Sequence, residues 1–328
     1  MNINIATAFN EKYVGYACTM IMSLLVNQLP EDHVTIYALH NDVTKESQGV
    51  LHKLIGGYNA SIEFIYIDKS ELPSRLRTSE EWSLETYFRL LLFDKIYGKV
   101  DTIMYLDPDV IVNGSLRELF ELSWDECCAY ACADTSPIPF PDKRQQQFAK
   151  EIEAGMRYFC AGVMLINVNK VRDILTPENC WKCAEMWNYQ MFANDQDILN
   201  YYLWDKVVLL DNYRYEVFAS LAYKNGRRYV DVRDNSLIVH YVGNKPWDGR
   251  KVHFDIEKLW WDYAKLTPYY SKMTSDFVEK CVMNGNIWDI CEALEKSADE
   301  KKQIMAELQN AVNLSLNLMQ QLNDLKSQ

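Results

Sequence analysis

Asp107-Pro108-Asp109 closes the apolar run Thr102-Ile103-Met104-Tyr105-Leu106 and is the stretch of the 328-residue sequence best equipped for chemistry. The run has the length and β-favouring residues of a buried strand. Carboxylates at i and i+2 beyond such a strand point to the same side of a sheet edge. Together they make a hard, doubly negative oxygen site suited to Mg²⁺ or Mn²⁺, ions that keep open positions for water and for a substrate's phosphates. The plainer reading is a strand end that runs into a turn with solvated acids.

Other residues bear on that choice. His240 closes a second apolar run, Leu237-Ile238-Val239, and is the best candidate for a third ligand, although a lone histidine at a strand end is commonly structural. Lys245 follows in the loop Val242-Gly243-Asn244-Lys245-Pro246-Trp247, where a cation is placed to pair with a phosphate. A phosphotransferase using the first Asp as nucleophile would want Thr or Val where Ile111 stands, and a later Gly-Asp-x-x-x-Asp. Phosphate-binding Gly-x-x-x-x-Gly-Lys-Ser/Thr, dinucleotide-binding Gly-x-Gly-x-x-Gly and hydrolase Gly-x-Ser-x-Gly motifs are all absent. The remaining chemistry is transfer from a nucleotide sugar. Its leaving group is a nucleoside diphosphate, and a cation bridging both phosphates neutralises the charge as it develops.

The elements that position these residues alternate. Strands are expected over 3–7, 33–39, 61–67 and 102–106, with helices over 13–26, 45–55 and 83–97 between them. Such βαβ units imply an α/β fold with a mostly parallel sheet, which binds ligands at the carboxyl ends of its strands. Further strands are expected over 129–133, ending at Asp134, and over 158–167 and 237–241. Asn194-Asp195-Gln196-Asp197 opens a helix to about Trp204, its acids at the positive end of the dipole. From about Asp255 the character changes to aromatic clusters, Leu259-Trp260-Trp261 and Tyr269-Tyr270. The last segment carries an apolar row at Ile304, Leu308, Ala311, Ser315, Leu318, Leu322 and Leu325, the pattern of a short coiled coil or a docked helix. A catalytic domain over 1–250 and a helical extension over 251–328 are therefore expected.

The totals narrow the class. A net charge of -12 argues against a nucleic-acid binder. It permits an anionic small molecule, since a bound metal supplies local positive charge. The N-terminus has no basic segment or long apolar core, so no signal peptide is expected, and no stretch is long enough for a membrane span. The 9 cysteines are expected to be free thiols in a reducing compartment, placing the protein in the cytoplasm or on the inner face of a membrane. Cys180-Trp181-Lys182-Cys183 has zinc-ligand spacing but no second pair. Asn113-Gly114-Ser115 matches a glycosylation sequon and is better read as a turn.

In order along the chain, the blocks Ile5-Ala6-Thr7-Ala8 with Tyr13, Thr86-Tyr87-Phe88-Arg89-Leu90, Tyr105-Leu106-Asp107-Pro108-Asp109, Phe159-Cys160-Ala161-Gly162-Val163-Met164-Leu165-Ile166-Asn167, Asp195-Gln196-Asp197-Ile198-Leu199-Asn200 and His240-Tyr241-Val242-Gly243-Asn244-Lys245-Pro246-Trp247 resemble the family 8 retaining glycosyltransferases. These include bacterial lipopolysaccharide α-galactosyltransferases and glucosyltransferases, with glycogenin a distant relative. The resemblance covers roughly residues 3 to 250. It implies a GT-A fold and Mn²⁺-dependent transfer, with Mg²⁺ the alternative ion, of galactose or glucose from a UDP-sugar to a saccharide or glycolipid acceptor with retention. It also implies roles: Asp107, Asp109 and His240 as metal ligands, and Gly243 and Lys245 at the diphosphate. Ala8 and Asn10 would lie at the uridine. Arg89 and Asp134 would hold the donor sugar near Ala161 and Gly162, with Asp195 and Gln196 beside the reacting carbon. Gln being a poor nucleophile, front-face attack is the expected route, and Asp195 is the alternative nucleophile.

The chain departs from the family pattern at Asn10, often Asp, at Lys12, often Asn, and at Cys160, often Asn. Cysteine is a poorer hydrogen-bond partner than asparagine, so donor-sugar contacts are expected to differ there. The competing expectation is a degenerate sugar-nucleotide-binding module without turnover. Homodimerisation through the C-terminal helix and peripheral membrane association complete the expectations.

Overall fold

The computed structural model describes residues 1–78, 83–125, 127–135, 142–249 and 253–283, with 298–299, 301–310 and 313 of the C-terminal segment. The loop over 136–141 and the row positions Ala311, Ser315, Leu318, Leu322 and Leu325 lie outside the described residues. The chain forms two compact units. One takes Met1–Pro246 with Lys251–Met273, the other Trp247–Arg250 with Thr274–Gln328.

The first unit is built on a 7-stranded sheet. Its strands are β1 (Asn2–Ala8), β2 (His33–His40), β3 (Ala60–Tyr66), β4 (Thr102–Leu106), β6 (Ala129–Ala133), β7 (Phe159–Asn167) and β8 (Val207–Leu210). The spatial order is β3-β2-β1-β4-β7-β6-β8. β1, β2, β3 and β4 pair in parallel, as do β6 and β8, while β7 runs antiparallel to both neighbours. The α/β expectation therefore holds. A smaller 3-stranded sheet of β5 (Val110–Val112), β10 (Ile238–His240) and β9 (Val217–Phe218) stands beside it, in the order β5-β10-β9.

Both faces of the large sheet are covered. Ala6, Ala8, Ile103 and Tyr105 pack into one core, while Ile3, Ile5, Met104 and Leu106 pack into the other. That division by parity follows the pleat, and burial on both sides explains why β4 reads as an apolar run. Helix α1 (Val14–Asn27) buries Val14, Ala17, Cys18, Ile21 and Leu24 in the second core. Helix α2 (Lys45–Ile55) starts where Thr44 Oγ1 accepts the Ser47 N–H at 3.2 Å, an N-cap.

The 83–97 segment differs from a single helix. It winds as a 3₁₀ turn over Leu84–Leu90 and an α-turn over Leu92–Ile96. Tyr87 through Phe93 are all buried, so this piece threads the core and has no solvent face to alternate with. Cys180 and Cys183 are buried thiols on α3 (Pro177–Met186), packed in the first core. Helix α4 (Asp195–Leu203) follows Asn194, whose φ of 49° lies in the left-handed region. Helix α5 (Lys258–Ala264) belongs to the first unit and buries Trp260 completely.

In the second unit residues 301–310 are helical, and Ile304 and Leu308 are 64% and 58% exposed. Among the described residues no helix is long and apolar enough to cross a membrane.

Candidate metal centre

β4 ends at Leu106 and β5 begins at Val110, so Asp107-Pro108-Asp109 is the whole connection between β4 of the large sheet and β5 of the small one. Val110 N–H donates to the Asp107 carbonyl at 3.3 Å, which makes the link a tight turn. The carboxylates thus converge because the chain turns from one sheet into the other. This corrects the strand-pleat expectation, under which both would project from a single sheet edge. The turn is fastened on both sides. Asp107 N–H donates to the Gly162 carbonyl at 2.9 Å, and Tyr241 N–H donates to the Asp109 carbonyl at 3.1 Å.

β10 pairs antiparallel with β5, opposing His240 to Val110, and so delivers the imidazole to the turn. One ligand atom each from Asp107, Asp109 and His240 lies within 4.8 Å of the others. His240 Nε2 is 3.3 Å from Asp109 Oδ1. Two carboxylates and an imidazole are a donor set that fits Mn²⁺ or Mg²⁺. Gly162 makes the convergence possible. A Cβ there would fall 2.3 Å from His240 Cε1 and 2.8 Å from Asp107 Oδ2.

Arg89 is the hub on the other side of Asp107. Its Nη2 donates to Asp107 Oδ1 at 2.8 Å and its Nη1 to the Ala161 carbonyl at 2.6 Å. Nε–H is aimed at the Thr86 carbonyl at 3.2 Å, so the 2.8 Å approach of Asp195 Oδ2 is an ion-pair contact rather than an aligned hydrogen bond. The guanidinium also lies 4.2 Å over the Tyr105 ring. Beside it, Gln196 Oε1 accepts the Ala161 N–H at 2.9 Å while its Nε2 donates to Asp134 Oδ2 at 3.2 Å. Helix α4 is locked to β7 one turn further on: Asn200 accepts the Phe159 N–H and donates to the Phe159 carbonyl, both at 2.9 Å.

Lys245 donates to Asp109 Oδ2, and to the Tyr241 carbonyl at 2.9 Å. Burial opposes ionisation of both turn carboxyls. At Asp109 the charges of Lys245 and His240 overturn it and hold the pKa far below the usual range. At Asp107 burial and the Asp109 charge outweigh Arg89, and the pKa is raised. Burial alone would lower His240, but Asp109 and Glu216 push it up to about 10. Asp195 is pushed up to about 7, burial outweighing Arg89.

The structure thus joins Arg89, Asp107, Asp109, Asp134, Ala161, Gly162, Asp195, Gln196, His240 and Lys245 through direct contacts. Three expected residues stand at its margin. The parallel register Ala6↔Tyr105, continued two residues, brings Ala8 level with Asp107. Asn10 donates to Glu85 Oε2 at 3.1 Å and accepts the Tyr13 N–H. Gly243 turns the loop at a φ of +76°.

Two further residues meet at His240. Cys160, where donor-sugar contacts were expected to differ from the family's, places its buried sulfur 3.9 Å from His240 Nδ1. Glu216, fully buried and unmarked by any motif, places Oε1 2.8 Å from His240 Nδ1. Its one sequence signal is an acid standing alone in Tyr215-Glu216-Val217-Phe218.

Residues 4–250 match glycosyl transferase family 8, and the chain belongs to that family. It is 29% identical over 258 residues to the lipopolysaccharide 1,2-glucosyltransferase of Escherichia coli, covering 74% of this chain and 73% of that protein. In fold it is similar to the galactosyltransferase LgtC solved with donor and acceptor sugar analogs, with a TM-score of 0.67, 23% identity and coverage of 81% of this chain and 96% of that one. It is also similar to the bifunctional glycosyltransferase WbbM, with a TM-score of 0.69 and 19% identity. There it covers 84% of this chain and spans about half, 51%, of the longer protein. The expected GT-A architecture is thereby confirmed, and the protein is a family 8 glycosyltransferase.

Proposed function

We propose that this glycosyltransferase moves galactose or glucose from a UDP-sugar to a saccharide or glycolipid acceptor with retention, in the synthesis of a surface glycan. The observation that carries the reading is the meeting of Asp107, Asp109 and His240 at a turn between two sheets, with Lys245 against Asp109. These three residues would hold Mn²⁺. When bound, the ion supplies positive charge against the departing diphosphate. Lys245 leaves Asp109 to pair with a phosphate, and Arg89 keeps Asp107 oriented while its carboxylate is engaged.

Front-face attack is the favoured route. The Gln196 amide is committed at both ends, to Ala161 and to Asp134, so it positions and does not attack. Asp195 is buried against Arg89, with its Oδ2 2.8 Å from Nε, so attack through that oxygen would have to break an ion pair. Arg89 and Asp134 contact the donor sugar in this reading, and Ala8 and Asn10 border the uridine. The protein works at the cytoplasmic side of a membrane and pairs with a second copy through the helix that includes Ile304 and Leu308. A truncation at Ser297 that left the solution mass per chain unchanged would remove the pairing.

The deciding experiment incubates the purified protein with Mn²⁺ and a panel of UDP-sugars and measures UDP release. UDP-galactose or UDP-glucose is the expected donor. Asp109→Asn is expected to stay folded and lose at least about a hundredfold in turnover, having lost an anionic ligand. Release from no donor, or wild-type Mn²⁺-dependent turnover in Asp109→Asn, overturns the reading.

A further inference from the structure

The metal histidine sits in a cage that the family motifs do not describe. Glu216 immediately precedes β9, and β9 runs parallel to β10 with Phe218 level with His240. The Glu216 side chain therefore rises on the same side as the imidazole, two residues away along the pleat. Phe218 meets the imidazole edge-on at 5.7 Å, and Gly162 closes the face where a Cβ would collide with the ring. Glu216 Oε1 is 2.8 Å from Nδ1, and Cys160 Sγ is 3.9 Å from the same nitrogen. Cys160 Sγ, a Glu216 carboxylate oxygen and a His240 ring nitrogen all lie within 4.8 Å of one another. The result is a continuous line, Cys160 to Glu216 to His240 to Asp109.

A fully buried carboxylate costs several kcal/mol in solvation unless partners compensate it. Among the described residues no arginine or lysine forms an ion pair with Glu216, and its Oε2 makes no hydrogen bond. Its polar neighbours are the imidazole and the thiol. An apolar residue would satisfy the packing at lower cost, so the carboxylate answers a need of the ring. An imidazole ligates through one nitrogen, and which one is set by the hydrogen bond at the other. A carboxylate at Nδ1 keeps the proton there and leaves the Nε2 lone pair for the side on which Asp107 and Asp109 converge.

We propose that Glu216 is a positioning residue that fixes the tautomer and ring orientation of His240, with Cys160 completing the polar cluster at the same ring nitrogen. The inference rests on the metal reading above. It moves Cys160, the chain's departure from its family's pattern, away from sugar selection and into support of the ligand set.

The test begins with Mn²⁺ titration of wild-type protein without donor, followed by electron paramagnetic resonance of the free ion. Glu216→Leu is expected to weaken Mn²⁺ about 10–100-fold, and Glu216→Gln, which keeps an acceptor at Nδ1, by about a tenth of that loss. In ¹⁵N spectra of the Mg²⁺–UDP complex, wild type and Glu216→Gln show His240 protonated at Nδ1, whereas Glu216→Leu loses that signature. Cys160→Ser, which keeps a donor, should retain the wild-type Mn²⁺ affinity and Cys160→Ala should not. Absence of Mn²⁺ binding in wild type defeats the metal reading itself. Binding in wild type, with equal affinity and the same His240 tautomer in folded Glu216→Leu, defeats the positioning role alone.

Discussion

Replacing Lys245 with methionine should move two affinities in opposite directions. In the metal-free site the lysine ammonium is the cation that Asp109 holds, with side chains 26% and 12% exposed respectively. A Mn²⁺ ion approaching the turn must take Asp109 from that ammonium. Two unit charges about 4 Å apart attract by about 4 kcal/mol at an effective dielectric constant of 20. Partial exposure and salt reduce this to roughly 1–2 kcal/mol. At about 1.4 kcal/mol per tenfold, Lys245→Met should bind Mn²⁺ about 5–30-fold more tightly in the absence of donor. UDP binding to the Mn²⁺-loaded variant should weaken about 10–100-fold, the value of one charge-assisted hydrogen bond to phosphate. Resonance titration of free Mn²⁺ reads the first affinity, and calorimetry with UDP at saturating Mn²⁺ reads the second. A variant whose Mn²⁺ affinity is unchanged or weaker without UDP would refute the exchange of Lys245 for the cation, whatever happened to turnover.

Three further outcomes follow from the same coordinates. Gly162→Ala places a methyl 2.3 Å from His240 Cε1, and should cut Mn²⁺ affinity at least about tenfold for roughly 1–3 kcal/mol of stability; unchanged Mn²⁺ affinity would contradict the cage. Asn200→Ala strips both partners from Phe159, leaving a buried N–H and carbonyl unmatched, and should lower unfolding stability by roughly 2–4 kcal/mol in urea titration; a loss below about 0.5 kcal/mol would show another element replacing them. Burial pushes the Glu257 carboxyl up to about 7 despite His253, so the folded protein binds this proton more tightly than the unfolded chain. Stability from this group is full below about pH 4.3 and falls away as pH rises through about 7, by roughly 2–3 kcal/mol. Glu257→Gln should therefore gain on wild type at pH 8 relative to pH 5 in thermal melts, and an equal difference at the two pH values would count against it.

The central strands β4 and β7 were legible because each is buried almost throughout and its run of apolar residues is nearly unbroken; β8, partly exposed and 4 residues long, was not read. β4 was read to the residue, and α2 was read over Lys45–Ile55 because the glycines that stop it are a local signal. The 83–97 segment was misread for the converse reason. Its central residues Tyr87 through Phe93 are all buried, so periodicity there carried no information about winding. β5 and β9 are 3 and 2 residues long and exist only by pairing with β10, a non-local fact.

The site divides along the same line. Asp107, Asp109 and His240 were legible because each ends an apolar run, where a carboxylate or imidazole is conspicuous. Their convergence was inferred for the wrong geometric reason, since the second sheet that turns the chain at Pro108 left only the run Val110-Ile111-Val112 as a trace. Glu216 was invisible because its partner is 24 residues away and no spacing links them.

Cys160 shows how a departure from a pattern gains a second reading from the structure. A substitution beside Ala161, which the resemblance places near the donor sugar, suggested a change in sugar contacts. Yet neighbouring residues of a strand face opposite sides, and the structure turns Ala161 toward Arg89 and Gln196 through its backbone while Cys160 turns to His240. A thiol is a weak donor and a small, apolar occupant. It is tolerable at that position because Glu216 already supplies a strong acceptor to Nδ1. The pair is therefore coupled. Introducing asparagine at 160 beside an intact Glu216 adds a bulkier amide to a space already satisfied, and its cost should fall when Glu216 is shortened or made neutral. A double-mutant cycle between Cys160→Asn and Glu216→Gln, read in Mn²⁺ affinity, should show a coupling of at least about 0.5 kcal/mol. Additive effects would mean that the two residues serve His240 independently.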